Sequence, residues 1–180
     1  MFDHSLASGI LLGVGCFIAY DLLITLITSN QTDVLLARAN SAYDNNRFLE
    51  CAKVLRRIVR REPDNALFNF RLGWAYHMLD QPEQALRYMQ AAAELDDKYI
   101  DARLVLSEWR YERKDYWHAM LYARQAIELD KHQYDARLTL GKCCVALGDT
   151  ETAEEEVEFF EKYGQDGYAS ELIECIDAAE

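Results

Sequence analysis

A unit of 34 residues recurs four times along the chain without insertion or deletion, and no other feature constrains the fold as tightly. The units start at Thr32, Ala66, Ile100 and Tyr134. Their eighth residue is always small: Ala39, Gly73, Ser107 and Gly141. The twentieth is Cys51, Ala85, Ala119 or Ala153, and the seventeenth is Phe48, Pro82, Tyr116 or Thr150. Two antiparallel helices can cross closely only where neither carries a bulky side chain, so positions 8 and 20 mark a crossing within each unit. The spacing predicts helix pairs over 32–45/48–61, 66–79/82–96, 100–113/116–129 and 134–147/150–163. Pro82 suits a first helical turn. Gly148 followed by Asp149 reads as a helix stop and then an N-cap.

These positions resemble the tetratricopeptide repeat. Leu72-Gly73, Tyr76 and Ala85 match it in the second unit, Leu106, Tyr116, Ala119 and Ala126 in the third, Leu140-Gly141 and Ala153 in the fourth, and Pro63 at the end of the first. The pattern departs at position 4, where the family's Trp is replaced by Leu35, Asn69, Arg103 and Arg137. The resemblance covers residues 32 to about 165 and implies a protein-binding α-solenoid. It also implies a concave groove lined by positions 5, 9 and 12 of each first helix. Here those are Leu36, Asn40 and Tyr43, then Phe70, Trp74 and His77, then Leu104, Glu108 and Tyr111, then Leu138, Lys142 and Val145. Such an apolar and aromatic groove suits an amphipathic helix or an extended apolar segment of a partner. Trp74 is the sharpest expected anchor, because position 9 carries no packing duty in the repeat pattern. The chaperone-binding subclass clamps a C-terminal carboxylate with Lys and Asn on these helices. Asn40 fits that pattern, but Leu36 stands where the first Lys should be, and Asp101 and Leu104 supply no cation, so chaperone tails are not the expected ligand.

Charge is distributed unevenly within a net −12 that disfavours nucleic acid. Residues 47–61 hold six basic side chains and one acid, and residues 149–180 hold twelve acids and one lysine. Lys53, Arg56, Arg57, Arg60 and Arg61 share one helical face, opposite Cys51, Val54, Leu55 and Ile58. The five cysteines are odd in number and lack metal-site spacing, which points to free thiols and a reducing compartment. No phosphate-binding Gly loop, nucleophile elbow or His-Glu metal motif occurs, and the four histidines are dispersed. The expectation is a protein that is not an enzyme, with no cofactor, no metal and no small-molecule substrate.

The N-terminal stretch is almost wholly apolar from Leu6 to Thr28. As a helix it would span roughly 34 Å, enough for a bilayer. It lacks the basic leader of a signal peptide, so an uncleaved anchor is expected. The basic residues that follow it predict a single-pass protein with its N-terminus out and its repeats in the cytoplasm, periplasmic repeats being the alternative. Ser5, Gly9 and Gly13 form a small-residue stripe, and Asp21 sits inside the run, so both suggest contact with another membrane helix. The basic face of Lys53, Arg56, Arg57, Arg60 and Arg61 would then lie near anionic lipid headgroups. The expected organisation is all-α: a tail at 1–4, a transmembrane helix at 5–29, a linker at 30–31, and four repeats over 32–165 (32–65, 66–99, 100–133, 134–165). A capping helix at 166–180 follows. The expected role is a membrane-anchored scaffold or accessory subunit that binds other protein subunits, at least one integral to the membrane. The alternative is a receptor or chaperone-like adaptor that captures soluble clients at a membrane surface.

Overall fold

The computed structural model describes Tyr20, Leu23, Ile24 and residues 31–179, and every regular element among them is an α-helix. Among the described residues helix α1 covers 31–44. It is followed by α2 (Phe48–Arg61), α3 (Ala66–His77), α4 (Pro82–Leu95), α5 (Ile100–Glu112), α6 (Tyr116–Leu129), α7 (Tyr134–Leu147), α8 (Thr150–Lys162) and α9 (Asp166–Asp177). The second helices of the pairs begin at Phe48, Pro82, Tyr116 and Thr150, each 34 residues after the last. The turns inside the pairs repeat as well. Asn46, Asp80, Lys114 and Gly148, one per unit, have φ of 57°, 54°, 59° and 80°. At each turn the amide of the next residue donates to a carbonyl five positions back: Arg47 to Ala42, Gln81 to Tyr76, Asp115 to Arg110 and Asp149 to Cys144. This left-handed stop satisfies carbonyls that the helix end would otherwise leave bare. Asp149 then accepts from the Thr152 amide and caps α8, and Pro82 sits in the first turn of α4.

The chain divides into two compact units, residues 1–61 and 62–180. In the first, α2 buries Cys51, Ala52, Val54, Leu55 and Ile58 and exposes Lys53, Arg56, Arg57, Arg60 and Arg61. Glu50 accepts from both Arg38 (2.7 Å) and Arg47 (3.1 Å), and the Tyr43 ring meets Phe48 edge-on.

The second unit holds α3 to α9. A Cβ added at Gly73 would lie 3.2 Å from the Ala85 carbonyl oxygen and 3.2 Å from the Met89 nitrogen, so positions 8 and 20 do meet where α3 crosses α4. Gly141 occupies the same repeat position with a different neighbour. A Cβ there would meet the Leu172 methyls at 2.5 and 2.9 Å, so this glycine makes room for α9. Leu172 and Ile176 of α9 are buried with Leu140 and Phe160, Tyr168 stacks on Phe160, and Ile173 of α9 stays exposed. The three polar departures at position 4 share one use, which Leu35 of the first unit cannot have. Asn69 donates to the Pro63 and Asn65 carbonyls, Arg103 to those of Ala93, Asp96 and Tyr99, and Arg137 to that of Lys131. Where the family places an indole, α3, α5 and α7 place donors that satisfy the loop or helix end preceding them. Arg137 also holds Glu156 at 2.7 Å and lies 3.5 Å over the Phe159 ring. Burial pushes the Glu156 carboxyl upward against the pull of that guanidinium.

The expected anchor over 5–29, with Gly9, Gly13 and Asp21, lies outside the described residues apart from Tyr20, Leu23 and Ile24. Among the described residues no helix is long and apolar enough to cross a membrane. The longest helices with defined ends have 14 residues. At ~1.5 Å per residue these reach about 21 Å, short of the ~30 Å hydrocarbon core. The localisation as a single-pass membrane protein, with cytoplasmic or periplasmic repeats, is corrected accordingly. It rested on the hydropathy of one run, which measures transfer out of water and not the formation of a spanning helix. The lipid role given to the basic face and the integral-membrane partner rested on the same anchor and lose their basis with it.

Candidate protein-binding face

Helices α3, α5 and α7 place positions 5, 9 and 12 of three repeats in the second unit. The residues at these positions form two different surfaces. Between α3 and α5 the surface is aromatic. Phe70 is half-buried, with its ring 5.1 Å from that of Tyr99. Trp74 is also half-buried, edge-on to Trp109 at 5.3 Å and to His77 at 5.5 Å, and His77 stacks on Trp109 at 4.4 Å. Trp109 is only 5% exposed, so these rings form a packed cluster. Trp74 therefore does have a packing duty, which corrects the expectation drawn from the repeat pattern. Its main partner sits at position 10 of the next repeat, outside the groove positions.

Between α5, α7 and α9 the surface opens into a cavity of about 570 Å³. The expected Leu104, Glu108, Tyr111, Leu138 and Lys142 all line it. Val145 does not, and instead packs against the core of the fourth repeat. Sequence reasoning missed Val105, Ser107, Glu112, Asp135, Thr139 and Glu171. Most of these lie one residue or one turn from a groove position, and Glu171 comes from the capping helix, which the repeat rule does not reach. The lining is acidic, with Glu108, Glu112, Asp135 and Glu171 against the single cation Lys142. Lys142 pairs with Glu171, and the Tyr168 hydroxyl donates to Asp135 at 2.8 Å, which raises the Tyr168 pKa. Burial raises that of Tyr111. Among the described residues neither Glu108 nor Glu112 has an ion-pair partner.

In the first unit Leu36 is half-buried, and Asn40 and Tyr43 are exposed on α1. Neither Cys143 nor Cys144 offers a reactive thiol at these surfaces. Cys143 and Cys144 are buried, and burial pushes them up to about 12 and about 11.

Family models described as tetratricopeptide repeat match residues 36–100 and 110–158. The chain belongs to the tetratricopeptide-repeat family. Solved structures agree with that assignment at the level of fold. A tetratricopeptide repeat protein from Parabacteroides merdae superposes with a TM-score of 0.76 at 15% identity, over 82% of this chain and 59% of that one. YrrB, a tetratricopeptide-repeat protein with an unusual peptide-binding site, superposes with a TM-score of 0.69 at 19% identity, over 79% and 74%. The first such domain of Spaghetti (RPAP3), bound to the HSP90 peptide SRMEEVD, gives a TM-score of 0.60 at 20% identity, over 65% and 93%. Among curated proteins none matches the chain in sequence. As a tetratricopeptide-repeat scaffold, the chain serves protein–protein interaction.

Proposed function

We propose that this tetratricopeptide-repeat protein is an adaptor that holds a segment of a partner protein on the face built by α3, α5 and α7. The observation that carries the reading is the cavity of about 570 Å³, in which five residues at groove positions of two successive repeats converge. Its size suits a few side chains of an extended or helical segment. The aromatic cluster of Phe70, Trp74 and His77 supplies the adjoining part of the face, and Leu36, Asn40 and Tyr43 are the corresponding residues of the first repeat. The proposed division follows the repeats at 32–65, 66–99, 100–133 and 134–165, with a cap at 166–180. The peptide held by the RPAP3 domain carries two glutamates and ends in aspartate. An acidic tail of that kind is opposed here by the carboxylates of the cavity.

A photo-crosslinking amino acid placed at Leu138 in the full chain tests the proposal, with the same group at Trp117 of α6 as comparison. Trp117 is 70% exposed and lies outside the cavity. Partner segments should crosslink from position 138 and not from position 117. Equal or greater crosslinking from position 117 would move the site to another surface.

A further inference from the structure

We infer that the cavity between α5, α7 and α9 takes a cationic peptide segment, with a lysine or arginine side chain seated among its carboxylates. The inference rests on the reading of this face as a protein-binding site and adds the chemistry of the segment. Four carboxylates line one small concavity, and its single ammonium, Lys142, is paired with Glu171. Asp135 is engaged by the Tyr168 hydroxyl, whereas Glu108 and Glu112 have no ion-pair partner among the described residues. Like charges gathered in a cleft focus a field that raises the local concentration of the opposite charge. The net −12 of the whole chain adds attraction at longer range. The same cavity has apolar walls in Leu104 and Leu138 and a phenol in Tyr111. A lysine or arginine uses both kinds of surface at once, its aliphatic stem on the leucines and its charged head at the carboxylates. A purely apolar segment would bury Glu108 without compensation, and an acidic one would add repulsion.

The test uses the full chain and two fluorescein-labelled decapeptides, one alternating leucine with lysine and one alternating leucine with glutamine, read by fluorescence anisotropy. The lysine probe should bind at least about tenfold more tightly than the glutamine probe and weaken as salt rises. Glu108→Gln combined with Glu112→Gln should remove most of that preference. Glu154→Gln with Glu155→Gln and Glu158→Gln, on the exposed acidic side of α8, should leave it within about twofold. If both probes bind equally and Leu104→Ser weakens both, the cationic preference is overturned while the groove stands. If the α8 variant abolishes binding and the Glu108 and Glu112 pair does not, the charge attraction belongs to the acidic end and the inference falls. If neither probe responds to any cavity substitution, the protein-binding reading of this cavity falls with it. If the chain self-associates at low salt, and both this association and probe binding respond to Arg56→Gln with Arg60→Gln, the occupant is the basic helix of a second copy. That result overturns capture of a separate partner.

Discussion

Between α3 and α5 the protein-binding face is largely filled by rings, with a cavity of only about 190 Å³ beside His77 and Trp109, whereas between α5, α7 and α9 it opens to about 570 Å³. The two stretches use the same repeat positions on helices spaced by the same 34 residues. Position 9 is Trp74 in the first stretch, and Glu108 and Lys142 in the second. Position 10 is Trp109 where the rings meet and Cys143 on α7. Two indoles and an imidazole fill the space between neighbouring first helices with edge and face contacts. Glu108 is exposed and Lys142 turns to Glu171 of α9, so neither fills the space between α5 and α7. A repeat therefore determines where a surface lies, while side-chain volume and charge determine whether that surface is core or cavity.

The sharpest way to break this comparison is to empty the packed stretch. Trp109→Ala removes the ring that both Trp74 and His77 rest on, at a site only 5% exposed. Loss of a buried indole costs about 3–5 kcal/mol. Urea unfolding should show a loss of unfolding free energy of that size. A loss below about 1 kcal/mol would mean that the rings do not act as core.

Trp74→Ala should follow with about 2 kcal/mol, because its ring is half-buried and makes edge contacts of the kind worth ~0.5–1.5 kcal/mol beyond area. Any loss of partner binding in this variant is then inseparable from loss of packing unless stability is measured beside it. Unchanged stability with lost binding would return Trp74 to the role of a free anchor.

The repeat, the small residues of the crossing, the helix stop at Gly148 and the cap at Asp149 are local properties, and the sequence carries them openly. So are the groove positions, five of which converge on one cavity. Facts that need two repeats at once were not legible. The contact of Trp74 with Trp109 spans 35 residues, and the rule that assigns position 9 to the groove does not ask what the next helix brings to position 10. Gly141 shows the same limit, since its smallness makes room for Leu172 of α9, which lies outside the repeat. The polar residues at position 4 read only as missing tryptophans until their donors were seen at the carbonyls of the preceding loops. The capping helix contributes Glu171 to the cavity from outside the repeat pattern. The apolar N-terminal run invited a membrane reading that no described helix supports.

In the open stretch the same kind of truncation should matter less. Leu138→Ala removes a half-buried side chain at the wall of a cavity, where water already reaches one side. Its stability cost should be about 1 kcal/mol, well below that of Trp109→Ala. Binding of a partner segment should nevertheless fall, so this variant separates recognition from folding where Trp74→Ala does not. A cost of about 3 kcal/mol or more would show that the cavity wall is core after all.

The smallest effect is expected at Glu108→Gln, and its sign is informative. Glu108 is exposed, has no ion-pair partner among the described residues, and shares its cavity with Glu112, Asp135 and Glu171. In the free protein this carboxylate contributes like-charge repulsion and no compensating pair. Removing the charge while keeping the shape should leave stability unchanged or raise it by at most about 0.5 kcal/mol. Because the repulsion is between solvated charges, the gain should shrink as salt approaches 1 M, where the screening length falls to about 3 Å. Thermal unfolding of the wild type and the variant at low and high salt measures both quantities. A clear loss of stability at low salt would mean that Glu108 already has a cationic partner within the protein, and the open stretch would then be electrostatically satisfied in the way the aromatic stretch is sterically filled.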